Sequence, residues 1–147
     1  MPDPVRFADF RPGQRFRSPP QTISAEEIKE FARQFDPQPF HLDEAAAASS
    51  LFGGLAASGW HTAALAMRMN VVGGLPIAGG IIGNGIDELR WPHPVRPGDT
   101  LVAENEVLEV IPSATRPGAG RVRAQCRVLN QDGVVVMSFI ATLVVRG

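Results

Sequence analysis

An aspartate and a histidine stand five positions apart in Phe35-Asp36-Pro37-Gln38-Pro39-Phe40-His41. Together a carboxylate and an imidazole can hold, orient and deprotonate a water molecule. Fully extended, five residues span about 16 to 18 Å, too far for the two groups to share one water. The chemistry therefore requires the Pro-Gln-Pro segment to curl back, and two prolines are compatible with a stiff bend there without dictating one. On the pattern alone two readings stand: an acid/base pair, or a helix-terminating aspartate beside a histidine satisfied in the core or at the surface. The other chemistry-bearing residues offer less. His61 and His93 complete the histidines, and no spacing among the three suggests a metal site. Ser58 precedes a glycine but lacks the G-x-S-x-G elbow of a serine hydrolase. Lys29 is the only lysine and there is no tyrosine, which argues against a Schiff base or a tyrosine acid. Asp99, in Pro97-Gly98-Asp99, is most simply a turn residue.

The bulk properties narrow the class. A chain of 147 residues is expected to form one domain, here spanning 1–147. With 44% hydrophobic residues, 20% charged and a formal net charge of −1, no strong field draws it to nucleic acid or to an anionic membrane. Cys126 is the only cysteine, so an internal disulfide is excluded and a reducing, cytoplasmic setting is expected. No stretch has the length and apolarity of a signal peptide or a membrane span.

The elements that must position these groups are legible from periodicity. Pro19 and Pro20 interrupt an opening extended segment. Ser24 and Glu27 then form a capping box ahead of Ile28, Phe31, Ala32 and Phe35, which predicts an amphipathic helix over 24–35. Pro37 ends it, leaving 36–41 as an irregular connection, and Asp43 caps a short alanine helix. Gly59 leads into Trp-His-Thr-Ala-Ala-Leu-Ala-Met-Arg-Met-Asn-Val-Val. Trp60, Ala63, Ala64, Met67 and Val71 form one stripe of this segment, and Leu65, Met69 and Val72 lie on the other side. A helix apolar nearly all round is expected to be buried. From residue 79 the pattern becomes strands. Val122, Ala124, Cys126 and Val128 alternate with Arg121, Arg123, Gln125 and Arg127, so one sheet face is covered and the other wet. The arginine face could meet ligand phosphates, though a solvated face is the simpler reading. Asn130-Gln131-Asp132-Gly133 is a hairpin turn into a continuous apolar strand. Helices first and antiparallel strands after predict an α+β domain whose sheet wraps a central helix.

Residues 35–41 with Asp43, Leu55-Ala56-Ala57-Ser58-Gly59-Trp60, and Leu89-Arg90-Trp91-Pro92-His93-Pro94-Val95-Arg96-Pro97-Gly98-Asp99-Thr100-Leu101 together resemble the MaoC-like dehydratase family, the (R)-specific enoyl-CoA hydratases. The likeness runs in order over nearly the whole chain from about residue 10. It implies a hot-dog fold, an antiparallel sheet wrapped around a long central helix, working as a homodimer or a dimer of dimers. It also implies reversible addition of water across the C2=C3 bond of an enoyl-CoA thioester. No cofactor is expected beyond the substrate itself. Carried over, Asp36 and His41 become the acid/base pair, and the Gly59 N–H, at the opening of the central helix, faces the thioester oxygen. Helix N-termini present unpaired N–H groups where an enolate oxygen would develop.

Two departures stand out. Gln38 occupies the place of an asparagine, one methylene longer, and Ser58 replaces a histidine often found before the helix glycine. Both count as expected substrate-binding positions, with Trp60 and Phe52. Pocket depth is expected to depend on Leu51, Phe52, Trp60 and the loop 75–80. The rival readings are a hot-dog thioesterase, which usually carries a carboxylate on or beside the central helix where this chain has none, and a non-catalytic acyl-CoA-binding subunit.

Overall fold

The computed structural model describes residues 3–147. The chain opens with a 3-10 turn, Phe7–Asp9, and two short strands, β1 (Arg15–Arg17) and β2 (Gln21–Thr22), separated by the Pro19-Pro20 break. Four helices follow: α1 (Ala25–Phe35), α2 (Pro39–Leu42), α3 (Glu44–Ala48) and α4 (Gly59–Met69), the last continued by a π turn, Asn70–Gly74. The remaining strands are β3 (Ile82–Arg90), β4 (Thr100–Pro112), β5 (Gly120–Leu129) and β6 (Val135–Val145). They form an antiparallel sheet in the order β1-β4-β5-β6-β3, with β2 pairing to β4. The apolar strand β6 is thus interior, and β3, first of the long strands in sequence, is an edge.

Local chemistry explains the helix boundaries. At α1 the Ser24 hydroxyl accepts from Glu27 N–H and the Glu27 carboxylate accepts from Ser24 N–H, the expected capping box. Asp43 Oδ2 accepts from Ala46 N–H at 3.1 Å and starts α3 as expected. The connection between α1 and α3 departs from expectation: residues 39–42 are helical, not irregular. Pro39 sits in the first turn of α2, where its missing N–H would have had no partner in any case.

Helix α4 lies on the concave side of the sheet. Its Leu65, Ala66 and Met69 pack with Leu101, Ala103, Cys126, Val128, Val136 and Met137 in one core. A second core, nearer the far end of the sheet, gathers Phe7, Phe10, Leu75, Val107, Val122 and Leu143. The alternation read in β5 is realised, Val122, Ala124, Cys126 and Val128 all being buried. The expectation that α4 is buried on every side is not met. Trp60, Met67 and Val71 are 60%, 50% and 54% exposed, because the sheet covers only the opposite side of the helix. Phe35 also departs from its predicted place in the α1 core stripe. It is exposed at the last residue of the helix, where the chain turns away, while Ile28 and Ala32 are fully buried.

Candidate active site

The bend that Asp36 and His41 require is present. The Asp36 N–H closes α1 by donating to Ala32 O at 2.9 Å, and its carbonyl then accepts from Gln38 N–H at 2.8 Å around Pro37. This three-residue turn reverses the chain. Helix α2 shortens the rest of the path, with His41 N–H donating to Gln38 O at 3.0 Å. As a result His41 Nε2 lies 3.3 Å from Asp36 Oδ2. The other ring nitrogen, Nδ1, is 2.6 Å from Ala56 O. A carbonyl only accepts, so Nδ1 carries the proton, and in the neutral ring Nε2 presents a lone pair to Asp36. Two acceptors facing each other call for a proton or a water donating to both. Phe40 meets the imidazole in a T-shaped contact at 4.7 Å and Phe52 lies tilted beside it at 5.9 Å between ring centres, and His41 is only 4% exposed.

The carboxylate of Asp36 is held by its neighbours. Gln38 Nε2 donates to Oδ1 at 2.5 Å, and the hydroxyl of the fully buried Ser58 donates to the same group. Burial is the largest single influence on Asp36 and acts to raise its pKa. The Ser58 and Gln38 hydrogen bonds and the charge of His41 together outweigh it, so the carboxyl sits below its ordinary value. Ser58 also caps α4, its Oγ accepting from Trp60 N–H at 3.3 Å. Neither Gln38 nor Ser58 is on the wall of the adjacent cleft; both reach the carboxylate instead, which is where the structure puts these two expected substrate-binding positions.

That cleft has a volume of about 310 Å³, and Asp36, His41, Phe52, Gly59, Trp60 and Trp91 are among its walls. The N–H of Gly59 makes no hydrogen bond among the described residues, and so it remains a free donor at the start of α4. A Cβ on Gly59 would come within 2.7 Å of the Trp91 ring, which lies over the helix start and donates its indole N–H to Gly59 O at 3.0 Å. Glycine is needed here for close approach rather than for an unusual φ.

Sequence reasoning missed Trp91 and Arg96 as parts of the site. Arg96 Nη1 donates to Gly54 O at 2.8 Å and Leu55 O at 3.3 Å, and its Nη2 donates to Phe52 O, so one guanidinium clasps the loop that carries Phe52 toward His41. The sequence signal was their place in the quoted strand-turn-strand segment, but a tryptophan and an arginine there read equally as surface residues. Of the lesser candidates, His93 is exposed at the cleft, whereas Leu51 is fully exposed and off its walls. His61 is buried and stacked on Phe31 at 4.6 Å between ring centres, with Nδ1 unpartnered among the described residues. Asp99 is the turn residue it was read to be, accepting from Arg96 N–H at 2.8 Å and from Gln131 Nε2 at 3.0 Å. On the outer sheet face Arg123 lies 3.7 Å from Asp87 and Arg127 donates to Gln125, as on a solvated face.

With this geometry the chain can be set beside known proteins. The family model described as "MaoC like domain" matches residues 7–126. The chain belongs to the MaoC-like dehydratase family, and its open antiparallel sheet around a central helix is the hot-dog fold. It is similar to a MaoC-like dehydratase of Rhodospirillum rubrum, with 54% identity, 97% of each chain covered and a TM-score of 0.93. It also resembles the R-hydratase PhaJ1 of Pseudomonas aeruginosa in its unliganded form, at 33% identity over 97% of this chain and 86% of that one, with a TM-score of 0.79. YdeM of Bacillus subtilis, an uncharacterised protein, is 32% identical over 78% of this chain and 81% of its own length.

Proposed function

We propose that this protein is a hydro-lyase that adds water reversibly across the C2=C3 bond of a 2-enoyl-CoA thioester. The observation that carries the reading is the pairing of His41 Nε2 with Asp36 Oδ2 at 3.3 Å in a cleft that also holds the free N–H of Gly59. A water donating one hydrogen to Nε2 and the other to Oδ2 presents its lone pair to C3. His41, with its lone pair free, takes the proton, while the well-stabilised Asp36 carboxylate offsets the charge of the imidazolium. The new C3–O bond forms as the C2=C3 electrons move onto the thioester oxygen, which the Gly59 N–H and the start of α4 stabilise. Collapse of the enolate returns that proton to C2, so one water is added and both side chains are restored.

The same reading makes the protein a dimer joined along β3. Ile82 and Ile86 of that edge strand are each 53% exposed, as are Trp60 and Met67 on the adjacent side of α4, and Val71 in the π turn beyond it, to a similar degree. An unpaired edge strand carrying exposed isoleucines next to an exposed apolar helix side calls for a partner. The assay is direct: the protein mixed with crotonyl-CoA and with longer 2-enoyl-CoAs abolishes the enoyl absorbance at a rate set by its concentration. Release of free thiol from saturated acyl-CoA in place of hydration would make it a thioesterase, and tight binding without turnover a binding subunit.

A further inference from the structure

A second cavity, of about 350 Å³, runs along one side of α4 and adjoins the catalytic cleft, since Trp60 is a wall of both. Met67, Phe139 and Leu143 typify its lining, and none of its lining residues is charged. Its far end is different. Asn70, just past the end of α4, and Asn105 of β4 both line the cavity although they are only 7% and 3% exposed. Asn105 Nδ2 donates to Gly74 O at 2.7 Å and to Asn70 Oδ1 at 2.8 Å, which uses both of its hydrogens. Because Gly74 O can only accept, the orientation of each amide follows. Asn70 Nδ2 then has only the Cys126 sulfur, a weak acceptor, at 3.8 Å. Among the described residues, Asn105 Oδ1 accepts nothing and one Asn70 N–H donates to nothing. Clipping the π turn to the sheet explains the bonds these amides make, but not the acceptor and donor they leave free beside an apolar cavity, where unmet amide groups are rare.

The distance from the catalytic end fits a chain-shaped ligand. Eleven residues separate Gly59 from Asn70, about 16 Å along a helix. An extended chain advances roughly 1.2 Å per bond, so about thirteen bonds cover it.

We propose, resting on the hydratase reading, that this cavity holds the acyl chain and that Asn70 and Asn105 select chains whose far end carries a neutral donor–acceptor group, a hydroxyl above all. A terminal hydroxyl donates to Asn105 Oδ1 and accepts from Asn70 Nδ2. A terminal methyl of equal reach strips water from both amides and returns nothing. A terminal carboxylate enters an uncharged cavity with no cation to meet it.

The test is calorimetric binding of saturated CoA thioesters, which cannot be hydrated, to the wild-type protein. Three series are compared over chains of roughly ten to fourteen carbons, a range that brackets the reach set by the helix rise: methyl-ended, ω-hydroxy and ω-carboxy. The expected result is a preference of about tenfold or more for the hydroxyl over the methyl at the lengths that reach the amides, with the carboxylate weakest. Asn70→Leu, checked by its melting curve, is expected to remove that preference while leaving hexanoyl-CoA binding unchanged. Equal binding of methyl- and hydroxyl-ended chains at every length, or tight binding of the carboxylate, overturns the inference. Crotonyl-CoA, too short to reach the amides, reports separately: its hydration without a hydroxyl preference sinks only the chain-end site, and a hydroxyl preference without hydration sinks only the hydratase reading.

Discussion

At the scale of single residues the site depends on how one carboxylate is held. Ser58 performs two tasks with one hydroxyl, capping α4 and donating to Asp36, and Gln38 supplies the second side-chain donor. Because these donors leave the folded-state pKa of Asp36 below its unfolded value, the folded protein binds fewer protons in the acid range. The stability from Asp36 is therefore complete above the unfolded carboxylate value of about 3.9 and is lost as pH falls through the lower folded value. Ser58→Ala is expected to raise the Asp36 pKa, followed by NMR titration of its carboxyl carbon, and to cost about 1 kcal/mol in thermal melting through the lost cap. An unmoved Asp36 titration would remove Ser58 from any role in holding that carboxylate. The extra methylene of Gln38 is accommodated without loss of that contact. The pairing of Asp36 with His41 was legible as a requirement, since an extended Pro-Gln-Pro segment would hold them too far apart to share a water, but the roles of Ser58 and Gln38 were not. Both donate to a residue that sequence spacing cannot bring into view, Ser58 from another element altogether.

At the scale of elements, α1 and α4 meet through the stack of Phe31 on His61. Burial lowers the His61 pKa, opposed by the charge of Glu27. Below about pH 6.5 the unfolded chain takes up a proton that the folded protein resists, so stability falls as pH drops through that range. Melting temperature is expected to decline between about pH 7.5 and 5.5, and His61→Leu to flatten that decline, as scanning calorimetry across the range would register. An unchanged slope in the variant would assign the acid sensitivity elsewhere. Helix starts and the alternation of β5 were legible because capping residues and period-two burial act locally. The exposure of Trp60, Met67 and Val71 was not, because apolar periodicity reports that a face needs cover without saying what covers it. Helix α2 was missed for a similar reason: a proline reads as a breaker until its place in a first turn is known.

At the scale of the whole molecule, the α+β class and sheet-on-helix arrangement followed from element order, while the role of β3 as an edge emerged only from the pairing. The proposed dimer gives that edge its partner and roofs the cavity beside α4 that Trp60, Met67 and Ile86 line, leaving its interior to the acyl chain. Sedimentation velocity is expected to give twice the chain mass for the wild type and one chain mass for Ile86→Arg, which sets charges against each other across the joined edge. A wild-type protein sedimenting as a single chain would contradict the joined edge. The central claim, that Asp36 and His41 together activate the water, is tested most directly by the hydration rate of a 2-enoyl-CoA in Asp36→Asn and His41→Ala, each shown by melting and sedimentation to remain folded and assembled. The account predicts that kcat falls by about 10² to 10⁴ in each. Hydration at the wild-type rate in either folded variant would contradict it.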